Sequence, residues 1–276
     1  MAGRRMLASQ RQSMIVDYVR THGDARVAGL VELLSVSDMT VRRDLDVLAS
    51  RGLLKKVHGG ATLADRPSPE EPGFRAKSLR EHREKQAIAR VAATMVRPGS
   101  AIAVSAGTTT WELARHLVDT PDLTVVTNSV AVAAALNDAP GDRTLVLTGG
   151  VRTPSDALVG PLADMVITSL HFDVLFLGCH GMDVRAGLST PNLAEAQTNR
   201  TLIRSAREVV VMADHTKWGT VGFSSFADLS EVNVLITDAG LDVSARAVLH
   251  EAVGRVVIAE VDSDDRVGFL PEAVAQ

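Results

Sequence analysis

Two arginines and a threonine between residues 37 and 50 could donate hydrogen bonds to DNA, because their spacing places them on the outer face of one short helix. At about 100° per residue, Val41, Leu45 and Leu48 fall on one side, and Arg43 points almost directly away from them. Such a face suits a helix that enters a DNA major groove. A helical bundle with a solvated basic face could carry the same arginines. The neighbouring segments are therefore needed to distinguish a DNA-binding helix from such a bundle.

These neighbouring segments follow the order of a helix-turn-helix with a basic hairpin after it. Three residues, Ser35-Val36-Ser37, make a tight connection, and Ser37 stands where an N-cap belongs. The helices are predicted at 11–21, 27–34 and 37–50, and the strands of a wing at 53–57 and 61–63, around His58-Gly59-Gly60. The predicted DNA contacts are Ser37, Thr40, Arg42 and Arg43 in the helix and Lys55, Lys56 and His58 in the wing.

The charge distribution supports a DNA-binding module at the N-terminus. The 276-residue chain has a net charge of −4, yet residues 1–60 hold ten basic and six acidic residues, and the remainder carries −8. A single cysteine, Cys179, excludes an intramolecular disulfide framework, and no metal-ligand set accompanies it. No apolar run is long enough to span a membrane and no signal peptide is recognisable, so a cytoplasmic protein without metal or cofactor is expected.

A change of pattern after residue 63 predicts a second, larger domain. Residues 64–78 are predicted to be a linker, since three prolines fall within 64–73, and residues 79–276 form the second domain. Apolar runs alternate there with helical segments, which predicts a doubly wound, mostly parallel α/β sheet. The strands are predicted at 101–104, 123–126, 145–147, 174–177, 209–212 and 234–236, with a possible edge strand at 256–258.

Small, polar or charged residues follow five successive strands of this second domain. Ligands of open α/β sheets bind beyond the carboxyl ends of the strands, so we expect a binding site there. Glycine and threonine before a helix suit a phosphate, although ordinary helix capping would use them too. The predicted effector contacts are Ser105, Gly107, Thr108, Thr109, Asn128, Gly149, Gly150, Arg152, His180, Glu195 and Lys217. Single members of this set could equally be an exposed loop lysine, a carboxylate complementing a helix dipole or a hydrogen-bonding histidine.

Both domains resemble DeoR-type bacterial transcriptional regulators over about residues 11–260. The head carries Val-Ser-Asp-Met-Thr-Val-Arg-Arg-Asp-Leu at 36–45 and Val-His-Gly-Gly-Ala at 57–61. The second domain carries Ala-Gly-Thr-Thr at 106–109, Thr-Asn-Ser at 127–129 and Thr-Gly-Gly at 148–150. The resemblance implies a repressor of carbohydrate-metabolism genes whose sensor has the fold of ribose-5-phosphate isomerases without their catalysis. It further implies release from operator DNA by a phosphorylated sugar.

Two positions depart from the family pattern, and both remove a carboxylate. The family usually has Asp where this chain has Ser105, and Ala-Asp where it has Cys179-His180. The threonines and Lys217 are kept, so a small anionic metabolite remains the expected effector. A homodimer or higher oligomer is expected, because one helix reads too few bases.

Two alternatives stay open at this point. One is an isomerase-like enzyme with an accessory DNA-binding head, in which Glu195 is the base and Lys217 stabilises an anion. The other is a regulator that activates transcription. The absence of the two carboxylates and the intact head favour a regulator that is not an enzyme.

Overall fold

A computed structural model describes residues 8–22, 24–50, 54–57, 59–63, 74–78, 80–137 and 143–261 of the chain. They belong to two compact units, Met1–Pro67 and Ser68–Gln276. Each unit has a hydrophobic core of its own. The chain is therefore a small head joined to a larger domain.

The head packs three helices against a small antiparallel sheet with the strand order β1-β3-β2. Its elements are α1 (Ala8–His22), β1 (Asp24–Arg26), α2 (Val27–Leu34), α3 (Asp38–Ser50), β2 (Leu54–Val57) and β3 (Gly60–Leu63). The predicted three helices and two wing strands are confirmed within a few residues. The strand β1 was missed, because three residues between two helices are too few for a recognisable alternation.

Backbone geometry explains three small residues of the head. Ser35 adopts a left-handed conformation with φ of 50°, which turns the chain sharply between α2 and α3. Gly59 has φ of 81° in the turn before β3. A side chain on Gly60 would place its Cβ 2.2 Å from the carbonyl oxygen of Ala25 in β1. The Gly-Gly pair is thus needed for the tight turn and for the close approach of β3 to β1.

The larger unit is built on a seven-stranded sheet in which every neighbouring pair of strands is parallel. The strand order is β15-β14-β12-β9-β4-β5-β6. The strands are β4 (Ala101–Val104), β5 (Thr124–Thr127), β6 (Thr144–Leu147), β9 (Phe172–Leu177), β12 (Ala206–Met212), β14 (Val234–Asp238) and β15 (Arg255–Ala259). The predicted parallel α/β sheet is confirmed, including the edge strand at 256–258.

Helices cover both faces of this sheet, as its predominantly apolar strands require. The core on one face takes residues from α5 (His82–Ala93), α6 (Thr108–His116) and α7 (Val130–Asn137). The core on the other face takes residues from α8 (Pro161–Thr168), α9 (Leu193–Arg204) and α10 (Val243–Ala252). A short helix, α4 (Phe74–Ser78), falls within the segment predicted as a linker.

Five short strands outside the main sheet were not expected from the sequence. They are β7 (Val151–Arg152), β8 (Leu158–Val159), β10 (Gly181–Asp183), β11 (Gly187–Thr190) and β13 (Ser224–Ala227). They form a two-stranded ribbon and a three-stranded antiparallel sheet. With two to four residues each, they are too short to show an alternating pattern, and in the sequence they resemble turns after the main strands.

The strand order places a topological switch point, at which a crevice is expected, between β4 and β9. From β4 the chain proceeds outward to β5 and β6, and it then returns to β9 on the other side of β4. The connections on the two sides of such a switch point diverge, which leaves room at the carboxyl ends of the two strands. This edge of the sheet is where the sequence predicts a ligand.

Candidate DNA-reading helix and effector site

The helix α3 is held in place from behind by a buried carboxylate. Asp44 lies on its inner face and accepts hydrogen bonds from Arg11 Nε at 2.5 Å and from Gln12 Nε2 at 3.0 Å. Burying Val41 and Leu45 beside this ion pair fixes the rotation of α3 against α1. The opposite face of α3 is consequently the one presented to solvent.

The N-terminus of α3 is capped as the sequence predicts. The hydroxyl of Ser37 accepts a hydrogen bond from the backbone N–H of Thr40 at 3.3 Å, and the two hydroxyl oxygens lie 2.9 Å apart. Ser37 therefore starts the helix, and Thr40 is oriented by it at the first exposed turn.

Acidic neighbours engage two of the basic side chains predicted to contact DNA. Arg42 Nε lies 2.5 Å from Asp38 Oδ1 one turn earlier in α3. Lys56 Nζ of the wing lies 2.5 Å from Asp46 Oδ1 of α3. Arg43 makes no ion pair with any residue that the structure describes, so its guanidinium is the one on α3 already available to a base or phosphate.

The remaining predicted DNA contacts can be placed only in part. Lys55 lies in β2, but its side chain is outside the described part of the structure, and so is the whole of His58. Met39 was not predicted as a contact, yet it is 80% exposed on the outer side of α3. A thioether on that face suits the methyl group of a thymine. An exposed large apolar residue between polar neighbours was the available sequence signal.

In the larger unit, β4 and β9 meet at the predicted switch point through Ser105. The Ser105 hydroxyl accepts a hydrogen bond from the backbone N–H of Gly178 at 3.1 Å. Asn128, which follows β5, accepts one from the N–H of Ala106 at 2.9 Å and donates one to the carbonyl of Leu158 at 3.1 Å. Ser105 and Asn128 thus hold three strand ends together, and both are buried.

The threonines at the start of α6 are differently placed. Thr108 and Thr109 occupy the first turn of the helix, where backbone N–H groups have no intrahelical acceptor. Their hydroxyls make no hydrogen bond to any described residue, whereas Thr110 donates to the carbonyl of Gly107 at 3.0 Å. Free hydroxyls and free N–H groups at one helix N-terminus can bind an anion.

Glu195 is surrounded by hydroxyl groups. Its Oε1 accepts a hydrogen bond from Thr153 at 2.7 Å and one from Ser155, and its Oε2 accepts one from Thr190 at 3.1 Å. These three residues are buried and lie on segments separate from α9, so Glu195 ties the loop after β7 and the strand β11 to its own helix. A carboxylate engaged on both oxygens is a poor candidate for a general base.

Arg152 and His180 lie at the margins of this edge. Arg152 is exposed in the β7–β8 ribbon, where its Nε donates to Asp156 at 2.7 Å. His180 follows β9 and is partly buried, with its backbone N–H donating to the carbonyl of Ser189 at 3.1 Å. Gly149 and Gly150 both have positive φ after β6, and a Cβ on Gly150 would lie 2.6 Å from the carbonyl oxygen of Val159.

The most unusual group at this edge is the carboxylate of Asp214, which follows β12. Asp214 is fully buried, and its Oδ1 accepts hydrogen bonds from the backbone and the hydroxyl of Thr216. Its Oδ2 has no hydrogen-bond partner among the described residues, although Lys217 Nζ is 3.8 Å away. A buried carboxylate oxygen without a donor is costly unless a bound molecule supplies one.

Lys85, which the sequence analysis did not select, is buried within electrostatic reach of the same carboxylate. It is 2% exposed, and its Nζ donates to the carbonyls of Lys77 and Arg80. Burial lowers its pKa to about 8, while the negative charge of Asp214 opposes that shift and the positive charge of Lys217 adds to it. The signal was present in the sequence, because Lys85 shares the buried side of α5 with Ile88, Ala89 and Ala92.

A second charged pair lies directly after Asp214. His215 Nδ1 and Asp238 Oδ1, at the end of β14, are 2.8 Å apart, and this hydrogen bond raises the pKa of His215.

Burial raises the pKa of the Cys179 thiol to about 12, so that cysteine is an unreactive thiol. In the part of the chain that the structure describes, no group of three potential ligands could hold a metal ion.

A cavity of about 450 Å³ lies at the opposite edge of the sheet and contains none of the predicted contacts. It is lined by His171, Phe172, Asp173 and residues 204–207, at the amino ends of β9 and β12. It opens widely to solvent, and parallel sheets bind ligands at their carboxyl edge. The cavity therefore does not coincide with the edge at which the sequence predicts a ligand, the edge that holds Asp214 and Lys217.

Comparison with known proteins matches both units of the chain to one family. Residues 11–67 match the DeoR-like helix-turn-helix domain, and residues 80–239 match the DeoR C terminal sensor domain. The chain belongs to the DeoR family of transcriptional regulators. The predicted family and the predicted DNA-binding function are thereby confirmed.

Curated relatives align with this DeoR-family chain over almost their whole length. The HTH-type transcriptional regulator GlpR of Haloferax volcanii is 37% identical over 91% of this chain and 98% of its own. The putative aga operon transcriptional repressor of Escherichia coli O157:H7 is 32% identical over 91% and 93%. The lactose phosphotransferase system repressor of Staphylococcus aureus is 33% identical over 83% and 91%.

Among solved structures, the DeoR-family chain is similar to ribose 5-phosphate isomerase A from Methanocaldococcus jannaschii, with a TM-score of 0.35 and 15% identity over 49% of this chain and 53% of the isomerase. It is also similar to the initiation factor eIF-2B of Pyrococcus horikoshii, with a TM-score of 0.39 and 11% identity over 80% and 78%. At these TM-scores neither likeness decides a function.

Within the described residues, no helix is long and apolar enough to cross a membrane.

Proposed function

We propose that this DeoR-family regulator represses carbohydrate-metabolism genes and leaves its operator when a small phosphorylated metabolite binds the larger domain. The observation that carries the effector half is the buried Asp214 Oδ2, which has no donor among the described residues, with Lys217 Nζ 3.8 Å away and the charge of Asp214 acting on Lys85. Two of the relatives are named as repressors of the aga operon and of the lactose phosphotransferase system, which supports sugar metabolism as the regulated process.

On DNA, α3 would enter the major groove with its outer face. Arg43 is the proposed base reader, since a guanidinium can donate two hydrogen bonds to a guanine. Thr40 and Arg42 lie on the same exposed turn and would contact a base or a phosphate. Lys55, Lys56 and His58 of the wing are proposed to hold the backbone, which orients the head without reading sequence.

The effector is proposed to combine an anionic group with a hydroxyl. Lys217 and the free N–H and hydroxyl groups of Thr108 and Thr109 would bind the anion, for which a phosphate has the right charge. Asp214 Oδ2 would accept a hydrogen bond from a hydroxyl of the same ligand. Ser105 provides no carboxylate here, so a single buried acceptor, Asp214, takes over the recognition of hydroxyl groups.

Release from DNA requires that the effector binds the released form better than the DNA-bound form. Shifting the population from 99:1 to 1:99 takes about 5.5 kcal/mol of differential binding free energy. We propose that a homodimer or larger oligomer provides two heads, because paired half-sites are needed for a selective operator. The proposed place of action is the cytoplasm, where operator DNA is accessible.

A thermal-shift screen tests the effector assignment. The full chain is heated with triose, pentose and hexose phosphates, each beside its unphosphorylated parent. A ligand present at 100 times its dissociation constant adds about 2.7 kcal/mol of apparent stability. We expect at least one phosphorylated compound to stabilise the wild-type chain, no parent to do so, and the Lys217→Met variant to lose the shift.

Equal stabilisation of wild type and Lys217→Met would contradict the site. Turnover of a sugar phosphate that is abolished in Glu195→Gln would favour an isomerase, which the engaged state of the Glu195 carboxylate does not support.

A further inference from the structure

Two carboxylates on the outer face of α3 already neutralise basic side chains proposed to contact DNA. Asp38, Arg42 and Asp46 lie at successive i, i+4 positions of the helix, so they form one stripe. Arg42 donates from Nε to Asp38 Oδ1 at 2.5 Å and from its NH2 group to Oδ2 at 3.3 Å. Lys56 reaches from the wing to Asp46 Oδ1 at 2.5 Å. All four side chains are about half exposed, so DNA can reach each pair.

A carboxylate on a DNA-facing surface weakens every complex in which it meets only phosphates. Sequence-independent binding depends almost entirely on basic groups that neutralise phosphates and release counterions. Arg42 and Lys56 must exchange their carboxylate partners for phosphates in such a complex, and Asp38 and Asp46 are then left near the negatively charged backbone. The two acidic residues therefore reduce binding to DNA of arbitrary sequence.

A matching sequence can offset this cost, because base edges include donors. The N4 amino group of cytosine donates to an aspartate carboxylate in the major groove. Asp46 lies on the same outer side of α3 as Arg43, so an operator that seats Arg43 on a guanine can also offer Asp46 an amino group. Specificity arises when the wrong partner leaves a charge unpaired and the right partner does not.

We propose that Asp46, and to a smaller extent Asp38, are specificity-determining residues of the head. They hold Lys56 and Arg42 in intramolecular ion pairs that arbitrary DNA must break and that the operator replaces. Asp38 has the smaller effect because it lies in the first turn of α3, where its carboxylate also complements the helix dipole. The inference depends on the proposed role of α3 in reading DNA.

The test compares two DNA duplexes with the full chain. One is selected by the wild-type protein from a random library, and the other is its scrambled sequence. Fluorescence anisotropy measures both affinities between about 50 and 200 mM salt, the range over which phosphate contacts dominate the salt dependence. The variants are Asp46→Asn and Asp38→Asn. Glu32→Gln is the matched control, because Glu32 is an exposed acidic residue of α2 in the same unit and its loss changes the net charge equally.

Relative to Glu32→Gln, we expect Asp46→Asn to bind the scrambled duplex about two- to fivefold more tightly. Its salt slope on that duplex should steepen by about one, since the DNA-facing surface gains one net positive charge. Affinity for the selected duplex should stay within about twofold, so the ratio of the two affinities falls. Asp38→Asn should move the same ratio in the same direction by a smaller factor.

A second background isolates the role of the ion pair. In Lys56→Gln, Asp46→Asn should tighten binding to the scrambled duplex by a smaller factor than it does in the wild-type background, because the lysine it would release is absent and only the repulsion between Asp46 and phosphate is removed. Equal tightening on both duplexes, or no difference from Glu32→Gln, would overturn the proposal. If Arg43→Ala also leaves selective binding intact, the proposed role of α3 fails; if Arg43→Ala abolishes it, only the role of the carboxylates fails.

Discussion

The outer face of α3 and the strand-end crevice of the larger domain present their polar groups in opposite ways. On the outer face of α3, Arg42 and Asp46 are exposed and pair with neighbours at the surface, whereas Arg43 makes no ion pair with any described residue. In the crevice, Ser105, Asn128 and Glu195 make hydrogen bonds to neighbouring segments, and Asp214 retains one oxygen that has no donor among the described residues. The comparison teaches that a surface for DNA can be recognised by what it exposes, whereas a buried ligand site is recognised by what it leaves unsatisfied.

The largest expected effect is on the stability of the larger domain, through the buried hydrogen bonds of Glu195. Glu195→Ala removes the acceptor of three buried hydroxyls, and we expect the free energy of unfolding to fall by about 3 kcal/mol. Urea denaturation followed by circular dichroism measures it. Glu251→Ala, at an exposed position of α10, is the control and should stay within about 0.5 kcal/mol of wild type. If Glu195→Ala is as mild as the control, the carboxylate is dispensable for folding and belongs with the ligand contacts.

A somewhat smaller effect is expected on DNA binding by the outer face of α3. Arg43→Ala should weaken binding to a selected duplex by about 1–3 kcal/mol and broaden sequence preference at one position. Binding to a scrambled duplex should fall much less, since only one of several phosphate-neutralising charges is lost. A uniform loss on both duplexes would show that Arg43 contacts a phosphate. The role of base contact would then have to be assigned to another residue of α3.

The smallest effect sharpens the assignment of the buried site. The pKa of Lys85 is lowered to about 8 by burial, so at pH 8 its amine is neutral in about half of the protein molecules. An anion bound nearby favours the charged form and raises that pKa, so binding should take up at most about half a proton. Calorimetry at pH 8 in two buffers of different ionisation enthalpy, with a phosphorylated compound that stabilises the chain, measures this uptake. Lys85→Met should abolish it, and an unchanged uptake would place the titrating group elsewhere.

Much of the head could be predicted from the sequence, because periodicity in a short helix determines which side chains face outward. Val41 and Leu45 are buried and Arg42 and Arg43 exposed, as the helical pattern predicts. The ion pairs made by Arg42 and Lys56 could not be predicted, since exposed side chains choose among several partners of similar energy. The strand β1 was also hidden by its length.

The crevice was predictable in position but not in detail. Polar residues after parallel strands indicate the correct edge of the sheet, because the topology brings those ends together. Which polar atoms remain available depends on hydrogen bonds between distant segments, such as Gly178 to Ser105 across 73 positions of sequence. The sequence shows Lys85 on the buried side of α5, but its relation to this edge depends on the fold, since α5 precedes the first strand of the sheet.

The most direct test of the account is release of the full chain from its selected duplex. The duplex is titrated with a phosphorylated compound that stabilises the protein, and anisotropy follows the bound fraction for wild type and Lys217→Met. We predict that the compound releases wild type, that its unphosphorylated parent does not, and that Lys217→Met binds DNA normally without being released. Release of Lys217→Met at the same concentration as wild type would contradict the proposed link between the Asp214–Lys217 edge and the DNA-reading helix.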